Sequence, residues 1–324
     1  MNRGVATPIK LILLTALAFT TPASSASYGI TYRSAPDALA PLTVSFNASI
    51  PTGSTITWDF GDGNSAQGPA PVHTFYAPGT YQVAVNMQDG NRKASGVITV
   101  QVRDGGPERA VITLLHAGNS VAFSAQDSRV YAPFTARWTL DGAPITTPPR
   151  SLPDGPHVVR VEVNGKSGVL TREVRFTTGQ VGTSVPFELE VLRLTNDARA
   201  RGWDCALKRF GGPARPPLAR NAQLDVAARA QSSGMALHDY FDHTSPLDGS
   251  GAGQRARAAG YAWLTVAENI AGGQQTPEDV VQGWLNSPGH CRNIMGNFQE
   301  IGVSYVTRSG SRLRTYWTQV FGTK

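Results

Sequence analysis

At Val185 the chain changes period. Upstream, apolar residues alternate in short runs such as LTVSFNAS, TITWDF, YQVAVNM and GVITVQV, cut by the turn dipeptides Asp62-Gly63 and Pro78-Gly79. Alternation punctuated at this spacing predicts antiparallel sandwiches. Downstream the repeat becomes helical, with Leu189 and Leu192 on an amphipathic stretch that ends near Gly202. A single sheet or bundle does not accommodate both patterns, so the 324 residues are expected to divide into two or three domains.

The first residues have a different purpose. Arg3 and Lys10 precede an apolar run from Leu11 to Phe19, and small residues follow to Ala26. That layout predicts a secretory leader over 1–26 with cleavage after Ala26, and its apolar core is too short to span a membrane. No later run approaches membrane length, so no transmembrane segment is expected and the mature chain is read as secreted, extracellular or periplasmic. Export favours pairing of the two cysteines, Cys205 and Cys291, over free thiols. Pairing would close a loop worth about 4–5 kcal/mol in the chain-entropy model. The adjacency His290–Cys291 is poor evidence for a nucleophile and its base, because consecutive side chains point apart.

Of the +6 formal charge, Arg3 and Lys10 supply part, and the other arginines are interleaved with Asp and Glu. A nucleic-acid surface needs a clustered basic stripe, which this chain lacks.

Residues 35–103 carry WDFGDG (Trp58 to Gly63) and VHTFYAPGTYQVAV (Val72 to Val85). These stretches resemble the PKD domain, an immunoglobulin-like module of secreted and cell-surface proteins, with Trp58, Phe75 and Tyr81 as core and corner residues. Asp59 and Asp62 are read as turn formers rather than calcium ligands. Residues 108–178 give further short strands and the turns Asp141-Gly142 and Asp154-Gly155, as expected of a second immunoglobulin-like sandwich with Trp138 in its core. Residues 179–185 read as a linker.

Residues 186–324 read as an α+β domain. Asn221 is placed to cap a second helix, GAGQRARAAGY makes a short third helix stopped by Gly260, and Thr276-Pro277 opens a fourth. Ser287-Pro288-Gly289 is expected to end that helix with His290 as a cap, and two strands flank Ser309-Gly310. Four pieces stand in order here: YFDHTSP (240–246), AENIAGG (267–273), WLNSPGHCRNIM (284–295) and YWTQVFG (316–322). Together they resemble the bacterial branch of the CAP superfamily, the cysteine-rich secretory, antigen 5 and pathogenesis-related proteins. The resemblance implies an α–β–α sandwich with a surface cleft in which His243 faces Glu268. It also supports a Cys205–Cys291 disulfide. Two further cleft ligands of the family pattern are replaced by Tyr316 and, by position, Ser287.

A neutral imidazole with a carboxylate can bind a divalent cation such as zinc or calcium, or act as base and orienting group. The expected architecture is therefore multidomain: two all-β immunoglobulin-like sandwiches ahead of an α+β CAP domain. Its expected function is binding an extracellular small molecule, lipid, peptide or cell-wall glycan around His243 and Glu268, with Tyr316, Gln319 and His290 as further cleft candidates. The alternatives are a metal-assisted hydrolase using the same pair, and adhesion through the sandwich modules. No GxSxG or HExxH is present to favour hydrolysis.

Overall fold

The computed structural model describes residues 10–17, 28–34, 37–146, 151–166 and 168–324. The expected cleavage point at Ala26 lies outside the described residues. Eight strands make the first sandwich: β1 (Lys10–Leu17), β2 (Tyr28–Ser34), β3 (Leu42–Ala48), β4 (Thr55–Asp59), β5 (Ser65–Gln67), β6 (Val72–Phe75), β7 (Gly79–Asp89) and β8 (Arg92–Val102). One sheet runs β1-β2-β3-β6 and the other β5-β4-β7-β8. Strand β1 lies at the edge of its sheet, antiparallel to β2.

Alternation decides which side chains go inward. Leu42, Val44, Phe46 and Ala48 of β3 are buried, and the residues between them are exposed. Phe46 meets Trp58 at 5.2 Å between ring centroids, and Trp58 Nε1 donates to Gly68 O at 2.9 Å. Tyr81 donates its hydroxyl to Ala77 O, bracing the corner into β7. Asp59 and Asp62 accept the Gly61 and Asn64 amides as turn residues, while His73 bonds Asp62 at 2.7 Å and stacks on Phe60.

The second sandwich sets the hairpin β9 (Thr113–Ala117) and β10 (Ser120–Ser124) against a sheet ordered β12-β11-β13-β14. These strands are β11 (Ala136–Leu140), β12 (Ala143–Ile145), β13 (Gly155–Gly165) and β14 (Gly168–Thr178). Its core is Ile112, Val121, Phe123, Val159, Val161, Val163, Val174 and Phe176. Trp138 is not central, contrary to expectation. It lies half-buried at the core's edge, stacked on Phe123, because β11 is short and on its outer side is covered only by the three-residue β12.

The C-terminal domain comprises β15 (Gly182–Thr183), α1 (Val185–Arg201), β16 (Trp203–Asp204), β17 (Arg209–Phe210), β18 (Ala219–Arg220), α2 (Ala222–His238), α3 (Ala252–Ala258), β19 (Thr265–Gly272), α4 (Pro277–Asn286), α5 (Pro288–Ile294), β20 (Glu300–Thr307) and β21 (Thr315–Thr323). The sheet runs β15-β20-β21-β19, with β18 parallel to β20. Trp317, Phe321, Val303 and Tyr305 pack on α1, α4 and α5; Val320, Val266, Val306, Ile270 and Tyr316 pack on α2 and α3. That is an α–β–α sandwich. At Gly302 an added Cβ would sit 2.0 Å from the Leu224 backbone, so helix α2 lies closer to the sheet than any side chain there would allow.

Local chemistry fixes the helix ends. Asn221 accepts the Gln223 and Leu224 amides, and Thr276 accepts the Asp279 amide ahead of Pro277. Gly202 closes α1 in the left-handed region at φ 68°. Two expectations are corrected. Ser287 ends α4, but Pro288 takes the first position of a new helix, so His290 lies inside α5 and does not cap α4. The stretch read as a linker is anchored: Gly182 and Thr183 pair with Thr307 and Val306 of β20. Among the described residues no helix is long and apolar enough to cross a membrane.

Candidate functional site

Helix α2 ends at Asp239, whose left-handed backbone (φ 55°) turns the chain into the loop that carries His243. Asp242 accepts the Thr244 amide at 2.8 Å and tightens that turn. Glu268 is on β19, opposite Val320 and on the sheet face covered by α2 and α3. His243 Nδ1 meets Glu268 Oε1 at 2.9 Å. The two environments differ: the His243 side chain is 54% exposed and that of Glu268 only 3%.

The other carboxylate oxygen is taken by Arg255 of α3, whose Nη2 donates to Oε2 at 2.8 Å. Arg255 is itself buried, and it also donates to His243 O (3.1 Å) and Ser250 O (2.7 Å). One guanidinium thus holds both the carboxylate and the backbone that carries the imidazole. The carboxylate hydrogen bond is the largest influence on His243 and raises its pKa against the opposing effect of burial. With Nδ1 committed to Glu268, the second nitrogen, Nε2, is available to a partner.

His290 joins the same region from α5. Burial first, and then the charge of His243, lower its pKa. Asn269 donates to His290 O, while Asn293 donates to Glu268 O and to Asn269 Oδ1, so amide side chains tie α5 across β19. A disulfide between Cys205 and Cys291, 86 residues apart, fastens the same helix to the β16–β17 hairpin. Cys291 is fully buried, and among the described residues there is no free cysteine.

The structure brings together His243 and Glu268, and sets His290 near enough to feel the charge of His243. It does not bring Tyr316 and Gln319 to them. Gln319 pairs with Asn269, one step out of phase with Glu268, and therefore faces α1; it is fully buried and donates to Thr195. Tyr316 shares the Glu268 face but pairs with Gly272, four residues along the strand and roughly 13 Å away by strand rise. It is buried among Met235, Ala236, Ile270 and Val306, with its hydroxyl toward Asp239. Both are framework residues.

Arg255 went unread in the sequence. The small residues of GAGQRARAAG signal close packing of a short helix, yet nothing in it distinguishes the inward Arg255 from Arg257, which pairs with Asp127.

The donor set does not fit a zinc or calcium ion. Glu268 has given one oxygen to His243 and the other to a guanidinium, whose charge also opposes a cation. Ser287 brings no carboxylate. Among the described residues no three His, Cys, Asp or Glu side chains are grouped to hold a metal.

Residues 192–321 match the model of the cysteine-rich secretory protein family, CAP, and residues 26–103 match that of the PKD domain. The chain is 42% identical over 153 residues to the uncharacterized protein YkwD of Bacillus subtilis (strain 168), over 47% of this chain and 53% of that protein. It thus spans about half the length of the curated relative it matches. Among solved structures, an outer surface protein from Borrelia burgdorferi is 18% identical with a TM-score of 0.37, over 45% of this chain and 99% of that one. An extracellular protein containing an SCP domain from Bacillus anthracis is 19% identical with a TM-score of 0.35, over 75% and 82%.

Proposed function

We propose, from the premise that residues 192–321 are a CAP domain and residues 26–103 a PKD domain, that this protein binds an extracellular ligand at His243. The observation that carries the reading is the full commitment of Glu268 to Arg255 and His243. A carboxylate so engaged orients an imidazole; it is not a free base or a metal ligand. His243 is then a half-exposed, readily protonated donor, suited to a carboxylate, phosphate or carbonyl oxygen. Peptides, lipid headgroups and cell-wall glycans bearing acidic groups supply such acceptors. The leader pattern and the disulfide support placement outside the cytoplasm.

The test is a titration of the full chain, with histidine ring resonances observed, against acidic muropeptides, anionic lipid micelles and acidic peptides. One class is expected to move the His243 and His290 signals and to lose that effect in Glu268→Gln. Unmoved rings with every class contradict the reading.

One observation favours a second reading, a hydrolase. An imidazole held through Nδ1 by a carboxylate, with Nε2 free, is also how a general base is oriented. Turnover of ester, peptide or glycan panels that disappears in His243→Ala would establish it. The absence of turnover in the wild type would remove it.

A further inference from the structure

The second sandwich touches the CAP domain behind the His243 site. Among the described residues strand β9 pairs on one side only, with β10, and its outward Leu114 amide donates to Asp248 Oδ2 at 2.7 Å in a buried contact. Asp248 belongs to the loop between α2 and α3, five residues beyond His243. Its other oxygen, Oδ1, accepts the Ser250 amide at 2.8 Å. Ser250 O in turn accepts from Ser245 N (2.9 Å) and from Arg255 Nη1 (2.7 Å). Arg255 then holds Glu268 and the His243 carbonyl, and Glu268 holds the imidazole. An unbroken series of hydrogen bonds therefore runs from the backbone of one module to the exposed imidazole of the next.

Other contacts show that this junction is a packed interface. Leu247 of the same loop packs against the core of the second sandwich. Arg257 pairs with Asp127 at its rim. His116 of β9 lies 5.6 Å from His238 of α2, ring to ring. His116, Ser250 and Arg255 line one small cavity with Tyr240, Ser245 and Leu247, so the second sandwich forms part of the wall beneath the site.

We infer that Asp248 is a positioning residue for His243, and that the second sandwich, through the Leu114 amide, is part of the scaffold of the CAP site rather than a spacer that displays it. A carboxylate is the side chain this position needs: it must accept two amide hydrogens from two modules at once, and a charged acceptor makes the stronger bonds. Asparagine offers one oxygen and would turn an N–H toward one of the two amides. The inference rests on the reading of His243 as the working group, but its tests need no ligand, so its failure and that of the binding reading are separable.

Three full-length variants test it: Asp248→Asn, Asp248→Ala and Arg257→Ala. The readout is the His243 titration midpoint by NMR. Glu268, Arg255, Asp242 and His290 carry the charges that bear on His243, and Asp248→Asn removes the same charge as Asp248→Ala, so the difference between the two variants reports positioning rather than charge. The expected result is a fall of the midpoint toward the ordinary histidine value in Asp248→Ala, a smaller fall in Asp248→Asn, and none in Arg257→Ala, which cuts the same interface away from the relay. An unmoved midpoint in Asp248→Ala overturns the inference. So does an equal fall in Arg257→Ala, which would mean general loosening. If the Asp248 variants do not fold, amide exchange in the wild type decides: protection of the Leu114 amide is expected, and exchange at the rate of an exposed edge strand overturns it.

Discussion

Arg255 and Glu268 form an ion pair at 2.8 Å with both side chains almost wholly buried, directly beneath the exposed His243. Buried charges are tolerated when they are paired and hydrogen-bonded, and here the two terminal nitrogens of Arg255 reach two backbone carbonyls besides the carboxylate, while its Nε is buried without a partner. The pair places opposite charges together on the floor of the site and leaves the imidazole as its exposed titratable group.

Removing one partner should be costly. Arg255→Ala strands the Glu268 carboxylate in the interior, and urea unfolding should show a loss of about 3–5 kcal/mol. Arg257, on the same helix, is half-exposed, but its partner Asp127 is buried, so Arg257→Ala should cost less than Arg255→Ala without being negligible.

Binding at His243 should depend on pH in a defined direction. Its pKa is raised by Glu268, so the protonated donor persists above the ordinary histidine value. Affinity for an acidic ligand should be full below that raised value and fall as pH rises through it. The imidazole–carboxylate contact stabilises the fold with the same sign: its contribution is complete below the unfolded value of 6.5 and lost as pH rises through the folded one. Calorimetric titrations at stepped pH check the first, and the loss of pH dependence in His243→Gln identifies the group.

The junction between the modules should respond oppositely. Burial lowers His116 to about 3 and His238 to about 4, aided at His116 by the neighbouring His238 and at His238 by the charge of Arg308. Both stay neutral in the fold, while the unfolded chain takes up protons near 6.5. Stability is therefore full above that value and falls as pH drops toward the folded pKa values, by about 1.4 kcal/mol per pH unit for each histidine. Thermal unfolding across this range should show the slope, and His116→Phe should flatten it.

The disulfide should matter for both stability and site. It closes a loop of 86 residues, worth about 4–5 kcal/mol by chain entropy. In the double variant Cys205→Ser, Cys291→Ser the denaturation midpoint should fall accordingly. The His290 ring resonance should broaden, because α5 then keeps only its noncovalent ties to β19.

Much of this architecture was legible in the sequence because local chemistry decided it. Leu42, Val44 and Phe46 announce a strand by alternation; Asn221 and Thr276-Pro277 announce helices by the amides they satisfy or do without. The site was only partly legible, since its assembly depends on phase and direction. Gln319 is one residue out of register with the Glu268 face, a difference that emerges only once β19 and β21 are paired. His290 moved from a helix end to a helix interior because Pro288 begins a helix as readily as it follows one. Gly182-Thr183 is too short to show alternation, so its pairing with β20 left no signal. Arg255 meets Glu268, and Asp248 the Leu114 amide, only once the fold brings distant segments together, and no local pattern marks either.

His243, held by Glu268 on Arg255, is the proposed point at which this CAP domain takes its ligand. Native mass spectrometry of the wild type and of His243→Ala, each purified from the exported fraction, tests it most directly. The account predicts a noncovalent adduct on the wild type that vanishes on denaturation and is absent from the variant. An adduct retained unchanged by His243→Ala, or a wild type that carries none, would contradict it.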